Sequence, residues 1–198
     1  MKTVKVEPNW FNPIHLLALG FGSGAAPKAP GTCGTLVAVL IYWPLSQLSP
    51  EHYLLMLLVT SVMGIYICGQ TAKDLGVHDH GSIVWDEFVG FWITMFAAPV
   101  GWVWVVVGFV LFRFFDIIKP WPISWIDKNI TGGFCIMLDD VIAGVMAAGV
   151  LQGIAWWATD TLLRNQVLDV NEYKANPDDY KFNAVKNWIT FGNGSHIN

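Results

Sequence analysis

Four apolar runs dominate the chain. Residues 29–50, 52–72, 88–112 and 141–159 carry no acidic or basic charge over 22, 21, 25 and 19 positions. About 20 apolar residues cross a bilayer as a helix, so each run is a candidate span. Between them the polar positions predict breaks. A short apolar segment, 14–21, ends in Gly22-Ser23-Gly24. Pro30-Gly31 then predicts a turn, with Thr32 as the cap of the next helix. That helix is expected to reach about Trp43, where Pro44 bends or ends it. Ser49-Pro50-Glu51 reads as a tight loop and 52–70 as the second helix. The last helix is placed at 141–163, where Gly144, Ala147, Ala148 and Gly149 allow close packing.

The run 88–112 has two readings. As one straight span, Pro-kinked or not, it would put the polar residues before and after it on opposite membrane faces. Pro99-Val100-Gly101 in its middle is turn chemistry, however. Two helices of about 11 residues each rise roughly 16 Å, half a bilayer. A re-entrant hairpin is therefore the favoured expectation. Non-helical backbone at that depth is tolerated where neighbouring helices cover it.

Composition agrees with a membrane setting. Of 198 residues, 54% are hydrophobic and 13% charged, against roughly 25% charged in soluble domains. Mean hydropathy is +0.47. The expected architecture is all-α: an integral membrane helical bundle over 1–164, followed by a polar tail, 165–198. A net charge of −4 argues against a nucleic-acid partner, which needs a basic face. Cys33, Cys68 and Cys135 form no CxxC pair and read as reduced thiols rather than a zinc site. The start, MKTVKVEPNWFNP, does not read as a cleavable signal peptide. With the hairpin, Lys28, Lys73, Arg113, Lys119 and Lys128 share one face, which places that face in the cytoplasm.

Candidate chemistry lies in two polar segments, 73–87 (KDLGVHDHGSIVWDE) and 113–140. Asp86-Glu87 and Asp139-Asp140 each precede an apolar run. Adjacent carboxylates repel unless protons or a cation intervene, and a hard divalent ion bound through oxygen compensates them. The plain alternative is acids at helix starts, favoured by the helix dipole. Two such pairs, with Asp116 in the same layer, favour the metal. Arg113 and Asp116 share a helical face. They are either an ordinary ion pair, or a phosphate grip beside a metal ligand. Lys119 is an interfacial anchor or a phosphate contact. In His78-Asp79-His80, either a general acid or base is present, with Asp79 the favoured member, or the segment is a plain solvated loop. Residues 30–32 could form a backbone nest for an anion.

Absent motifs narrow the chemistry. There is no Cys followed by Arg six positions on, no DxD, and no DGxxAR string. A water activated by a carboxylate-held metal remains. The alternatives are a metal-dependent phosphatase or phosphotransferase on another lipid, and a cation transporter. Transport would need the acids near the bilayer middle.

GFGSGAAPKAPGTCGTL, TAKDLGVHDHGSIVWDEFVGFWIT, RFFDIIKPWPI and GGFCIMLDDVIAG, in that order, resemble the phosphatidylglycerophosphatase A family over roughly 10–160. The resemblance implies a magnesium-dependent phosphatase, multi-pass in the bacterial cytoplasmic membrane, with its site facing the cytoplasm. Its substrate would be a phospholipid in the bilayer, phosphatidylglycerophosphate, converted to phosphatidylglycerol. It also implies roles for Thr32, Arg113 and Lys119 in substrate binding and for Asp79 and Arg113 in catalysis. Mg²⁺ would be held by Asp86, Glu87, Asp116, Asp139 and Asp140. Cys135 departs mildly from the pattern, where a small residue is expected.

Overall fold

The computed structural model describes residues 8–77 and 80–165. Their helices are α1 (Pro13–Ala18), α2 (Pro30–Leu45), α3 (Pro50–Leu75), α4 (Trp85–Thr94), α5 (Trp102–Ile118), α6 (Ile123–Asn129) and α7 (Gly133–Asn165). No strand occurs among the described residues, as the all-α expectation required. The Asp79 assignment and the polar-tail assignment after Asn165 fall outside them.

Local chemistry explains most boundaries. The Ser49 side chain accepts from His52 N, Pro50 occupies the first turn, and Gly76 closes α3 at φ 68°, a left-handed value that glycine adopts without strain. Asn12 caps α1 through Ile14 N in the same way. The α2 start differs from the expectation. Pro30 and Gly31 are its first helical residues, not a turn, and Thr32 is not its cap. Ala29, left-handed at φ 48°, sits at that position with no side-chain cap. Proline has no N–H to lose in a first turn, so Pro30 starts the helix cheaply. Pro44 lies in the last turn and ends nothing before Leu45.

α4 is buried on every side: Trp85, Phe88, Val89, Phe91 and Trp92 are all within 5% of full burial. A short helix apolar all round belongs at the middle of a bundle, and α2, α3, α5 and α7 enclose it. Its polar tips find partners across the helices, as buried aromatics require. Trp85 Nε1 donates to Thr60 O (3.1 Å), Trp92 Nε1 to Ala38 O (3.0 Å), and Tyr53 Oη donates to Trp92 O (2.8 Å). α4 meets α7 backbone to backbone. A Cβ on Gly144 would strike Gly90 O, and one on Gly90 would lie 2.8 Å from Asp140 O. Thr94 Oγ1 bridges the seam, donating toward Gly90 O and Gly144 O. Gly69 and Gly133 make a similar contact between α3 and α7.

The run 88–112 does break. Residues 95–101 form a turn with Ala97 at φ 55° and Gly101 at φ 135°, and Gln152 Nε2 donates to Ala97 O at 2.7 Å. The arms are unequal, however: 10 residues in α4 and 17 in α5. α5 continues through Arg113 and Asp116, because both are neutralised within the bundle. α7 likewise starts eight residues earlier than expected, so Asp139 and Asp140 lie two turns inside it rather than at its start. Of the four candidate spans, two helices are long and apolar enough to cross a membrane, Pro50–Leu75 and Gly133–Asp160.

Candidate active site

Three helices deliver charge to one end of the bundle. Asp86 and Glu87 lie in the first turn of α4. Arg113 and Asp116 lie near the end of α5, and Lys119 closes that helix. Asp139 and Asp140 come from α7. Since α4 starts and α5 ends here, the intervening turn has brought the chain back to its starting end.

The acids divide into two groups. One carboxylate oxygen from each of Asp86, Glu87 and Asp140 lies within 4.8 Å of the others. Asp140 is 4% exposed, and its Oδ2, like Glu87 Oε2, has no hydrogen-bond partner. Burial, then the neighbouring Asp140 charge, pushes the Glu87 carboxyl well above the usual carboxylate range. Such a cluster needs protons or a cation. The unsatisfied oxygens, all hard donors, fit a magnesium ion by the chemistry of the set.

Asp116 and Asp139 meet cations at closer range, and Glu87 shares the first of them. Arg113 Nη1 lies 2.6 Å from Asp116 Oδ2 and 3.8 Å from Glu87 Oε1. The approach to Asp116 is an ion pair without hydrogen-bond alignment: Arg113 Nε and Nη1 are buried and have no aligned acceptor. Lys119 Nζ lies 2.6 Å from Asp139 Oδ2 and 3.1 Å from Asp127 Oδ1. Burial acts to lower the Lys119 pKa, but these two carboxylates raise it overall, so Lys119 is a fixed cation.

The α2 N-terminus completes the site. A Cβ on Gly31 would strike Glu87 Oε1 and stand 3.1 Å from both Arg113 Nη1 and Nη2. Only a glycine lets the helix start lie this close. The first-turn N–H groups of Gly31 and Thr32 precede the first intrahelical bond, Cys33 N to Ala29 O, and such groups favour anions. Thr32 itself is half-buried.

Sequence reasoning therefore named the cluster but not its division. It passed over Asp127, for which spacing offers no signal. It read Gly31 as part of a turn and of a nest, although Pro-Gly at a helix start beside an acidic layer was the available clue. It also passed over Cys68, whose thiol lies against the Asp86 backbone.

An all-helical bundle with apolar spans, and with a cluster of carboxylates beside an arginine at one end, has the make-up of a membrane protein with a charged site. A model of the family described as Phosphatidylglycerophosphatase A matches residues 16–155, and the chain belongs to that family. It is 55% identical over 141 residues to the Phosphatidylglycerophosphatase A of Escherichia coli K12, covering 71% of this chain and 82% of that protein. The Haemophilus influenzae protein of the same name is 49% identical over 148 residues, covering 74% and 91%. A Bacteroides thetaiotaomicron protein, 39% identical over 155 residues and covering 74% and 95%, carries a provisional name as a phosphatidylinositol-3-phosphatase. No solved structure matches.

Proposed function

We propose that this protein is a phosphatidylglycerophosphatase that hydrolyses the terminal phosphomonoester of phosphatidylglycerophosphate, with Mg²⁺, in phospholipid biosynthesis. The observation that carries the reading is the convergence of Asp86, Glu87 and Asp140 beside Arg113. Family membership supplies the lipid.

Asp86, Glu87 and Asp140 would hold Mg²⁺, with Asp116 and Asp139 at the edge of the set. When bound, Mg²⁺ supplies a Lewis acid for the phosphoryl group and acidifies water. Arg113 would neutralise the phosphoryl oxygens, on which charge spreads in the loose transition state. Asp116 holds the guanidinium in place. The Gly31 and Thr32 N–H groups add fixed dipoles on the same side. Lys119, at 2.6 Å, holds the Asp139 carboxylate in place. Asp79 is the proposed group to orient or deprotonate the attacking water.

The transporter reading loses support from α7 itself. Beyond Asp140 its buried positions are Ala143, Gly144, Ala147, Leu151 and Ala155, so the acids end where an ion path would have to continue. We place the site at the cytoplasmic face of the bacterial inner membrane, in a multi-pass protein whose α4–α5 hairpin is re-entrant. Lys28, Lys73, Arg113 and Lys119 mark that end, whereas the turns at 46–49 and 95–101 have no basic residue, the pattern of positive-inside orientation.

The test is phosphate release by the purified protein from phosphatidylglycerophosphate and, separately, from phosphatidylinositol 3-phosphate, with Mg²⁺ and with chelator. Release from the first alone, abolished by chelation, is the expected result. Chelator-resistant release would remove the metal, and a preference for the inositol lipid would change the substrate.

A further inference from the structure

The outward face of α5 is a continuous apolar stripe. Val103, Val106, Val110, Phe114 and Ile117 are 46%, 51%, 58%, 52% and 67% exposed, at spacings of three, four, four and three. This repeat keeps them on one line of a helix. Over 14 residues the line is about 21 Å long, at about 1.5 Å per residue. The opposite face, Trp104, Gly108 and Phe112, is buried in the bundle.

Arg113 borders this stripe. It is three residues from Val110, and therefore about 60° round the helix at about 100° per residue. Its guanidinium turns inward to Glu87 and Asp116. At the same end stand the exposed Trp121 and Trp125 (77% and 56%), residues that favour headgroup depth. α3 also has an exposed apolar face, including Leu58, Val59 and Val62, but no cation of the site lies on α3. On α5 the apolar line runs into Arg113, the guanidinium of the site; the exposed line of α2, Leu36, Leu40 and Trp43, leads instead to backbone N–H groups. An amphiphile with an anionic head and an apolar tail has that same form.

We propose that the α5 stripe is the docking track for an acyl chain of the phospholipid substrate, which enters from the bilayer along α5 and presents its phosphate to Arg113. The proposal rests on the phosphomonoesterase reading of the site. The occupant is a lipid tail rather than a second copy of the chain, because the stripe is continuous with Arg113 and the flanking tryptophans mark a lipid headgroup plane.

Two measurements test it. Val110→Trp and Val106→Trp thicken the track without touching the site. Each should raise KM for diacyl phosphatidylglycerophosphate in mixed micelles by about tenfold, the scale of losing a few methylene contacts, with kcat unchanged. The deacylated, water-soluble phosphomonoester should show no change, and Val59→Trp on α3 should change neither substrate. Separately, benzoylphenylalanine at position 110 should photocrosslink to lipid in phosphatidylcholine vesicles carrying phosphatidylglycerophosphate. Excess phosphatidylglycerophosphate over its dephosphorylated product should increase the yield. Wild-type kinetics in both α5 variants on the diacyl substrate would overturn the track, as would a crosslinked protein dimer. A wild-type protein that hydrolyses neither substrate would instead overturn the enzymatic reading, which keeps the two failures distinct.

Discussion

Gly31→Ala separates helix propensity from site geometry. Gly31 lies inside α2 with ordinary helical backbone, where alanine is favoured over glycine by about 0.5–1 kcal/mol. On local grounds the variant should be as stable as the parent or more so. The site dictates the opposite for activity. The new methyl would occupy the space of Glu87 Oε1 and press on Arg113 Nη1 and Nη2 at 3.1 Å. Ordinary contact requires Glu87 to retreat by roughly 1 Å, and a misplacement of that size can cost on the order of 100-fold in rate. The expected result is a protein that inserts and melts like the parent, with kcat/KM lowered about 100-fold. Phosphate release in mixed micelles gives the rate, and thermal unfolding gives the stability. Gly149→Ala is the control: its Cβ meets nothing within 4 Å, so activity should hold. A folded Gly31→Ala protein with parental kcat/KM would refute the close approach of α2 to Glu87 and Arg113.

Further outcomes follow from the same geometry. Glu87→Gln and Asp140→Asn should each lower the rate by orders of magnitude and raise the Mg²⁺ needed for half-maximal activity; normal turnover in both would remove the cation cluster. Arg113→Lys should lower kcat/KM with the fold retained, because an ammonium cannot place two donors on one phosphate; equal values would leave Arg113 a plain ion-pair partner. Asp127→Asn should be milder than Asp139→Asn, since Lys119 keeps its 2.6 Å partner in the first and loses it in the second; the reversed order of rates would contradict that. Single cysteines at positions 82 and 124, in a background lacking Cys33, Cys68 and Cys135, should react with an impermeant thiol reagent from the cytoplasmic side only; labelling from opposite sides would refute the re-entrant hairpin.

The sequence shows some of this directly and hides the rest. α3 begins at Pro50, inside the segment expected as a loop, yet its Ser49-Pro50 cap, like Asn12-Pro13, could be read from neighbouring residues alone. So could the turn at 99–101, whose proline and glycine act locally. The boundaries that misled were those crossed by charge. Arg113, Asp116, Asp139 and Asp140 looked like the limits of apolar runs, yet α5 and α7 carry them inside: Asp116 pairs with Arg113 three residues away, while Arg113 and Asp139 also meet Glu87 and Lys119 far off in the chain. The division of the five acids was hidden for the same reason. Lys119 reaches Asp139 across 20 positions, and only the packing of α5 on α7 sets that pairing.

The glycine seam between α4 and α7 has a mechanical consequence. Membranes differ in thickness, and a spanning helix adjusts by tilting or bending. α3 and α7 must absorb such adjustments. Glu87 and Asp140, however, come from helices joined backbone to backbone at Gly90 and Gly144, with Thr94 fastened across the join. At that crossing backbone meets backbone, with no side chain to compress or extend. Tilting would carry both carboxylates together, so their separation is insulated from the thickness of the lipid around them.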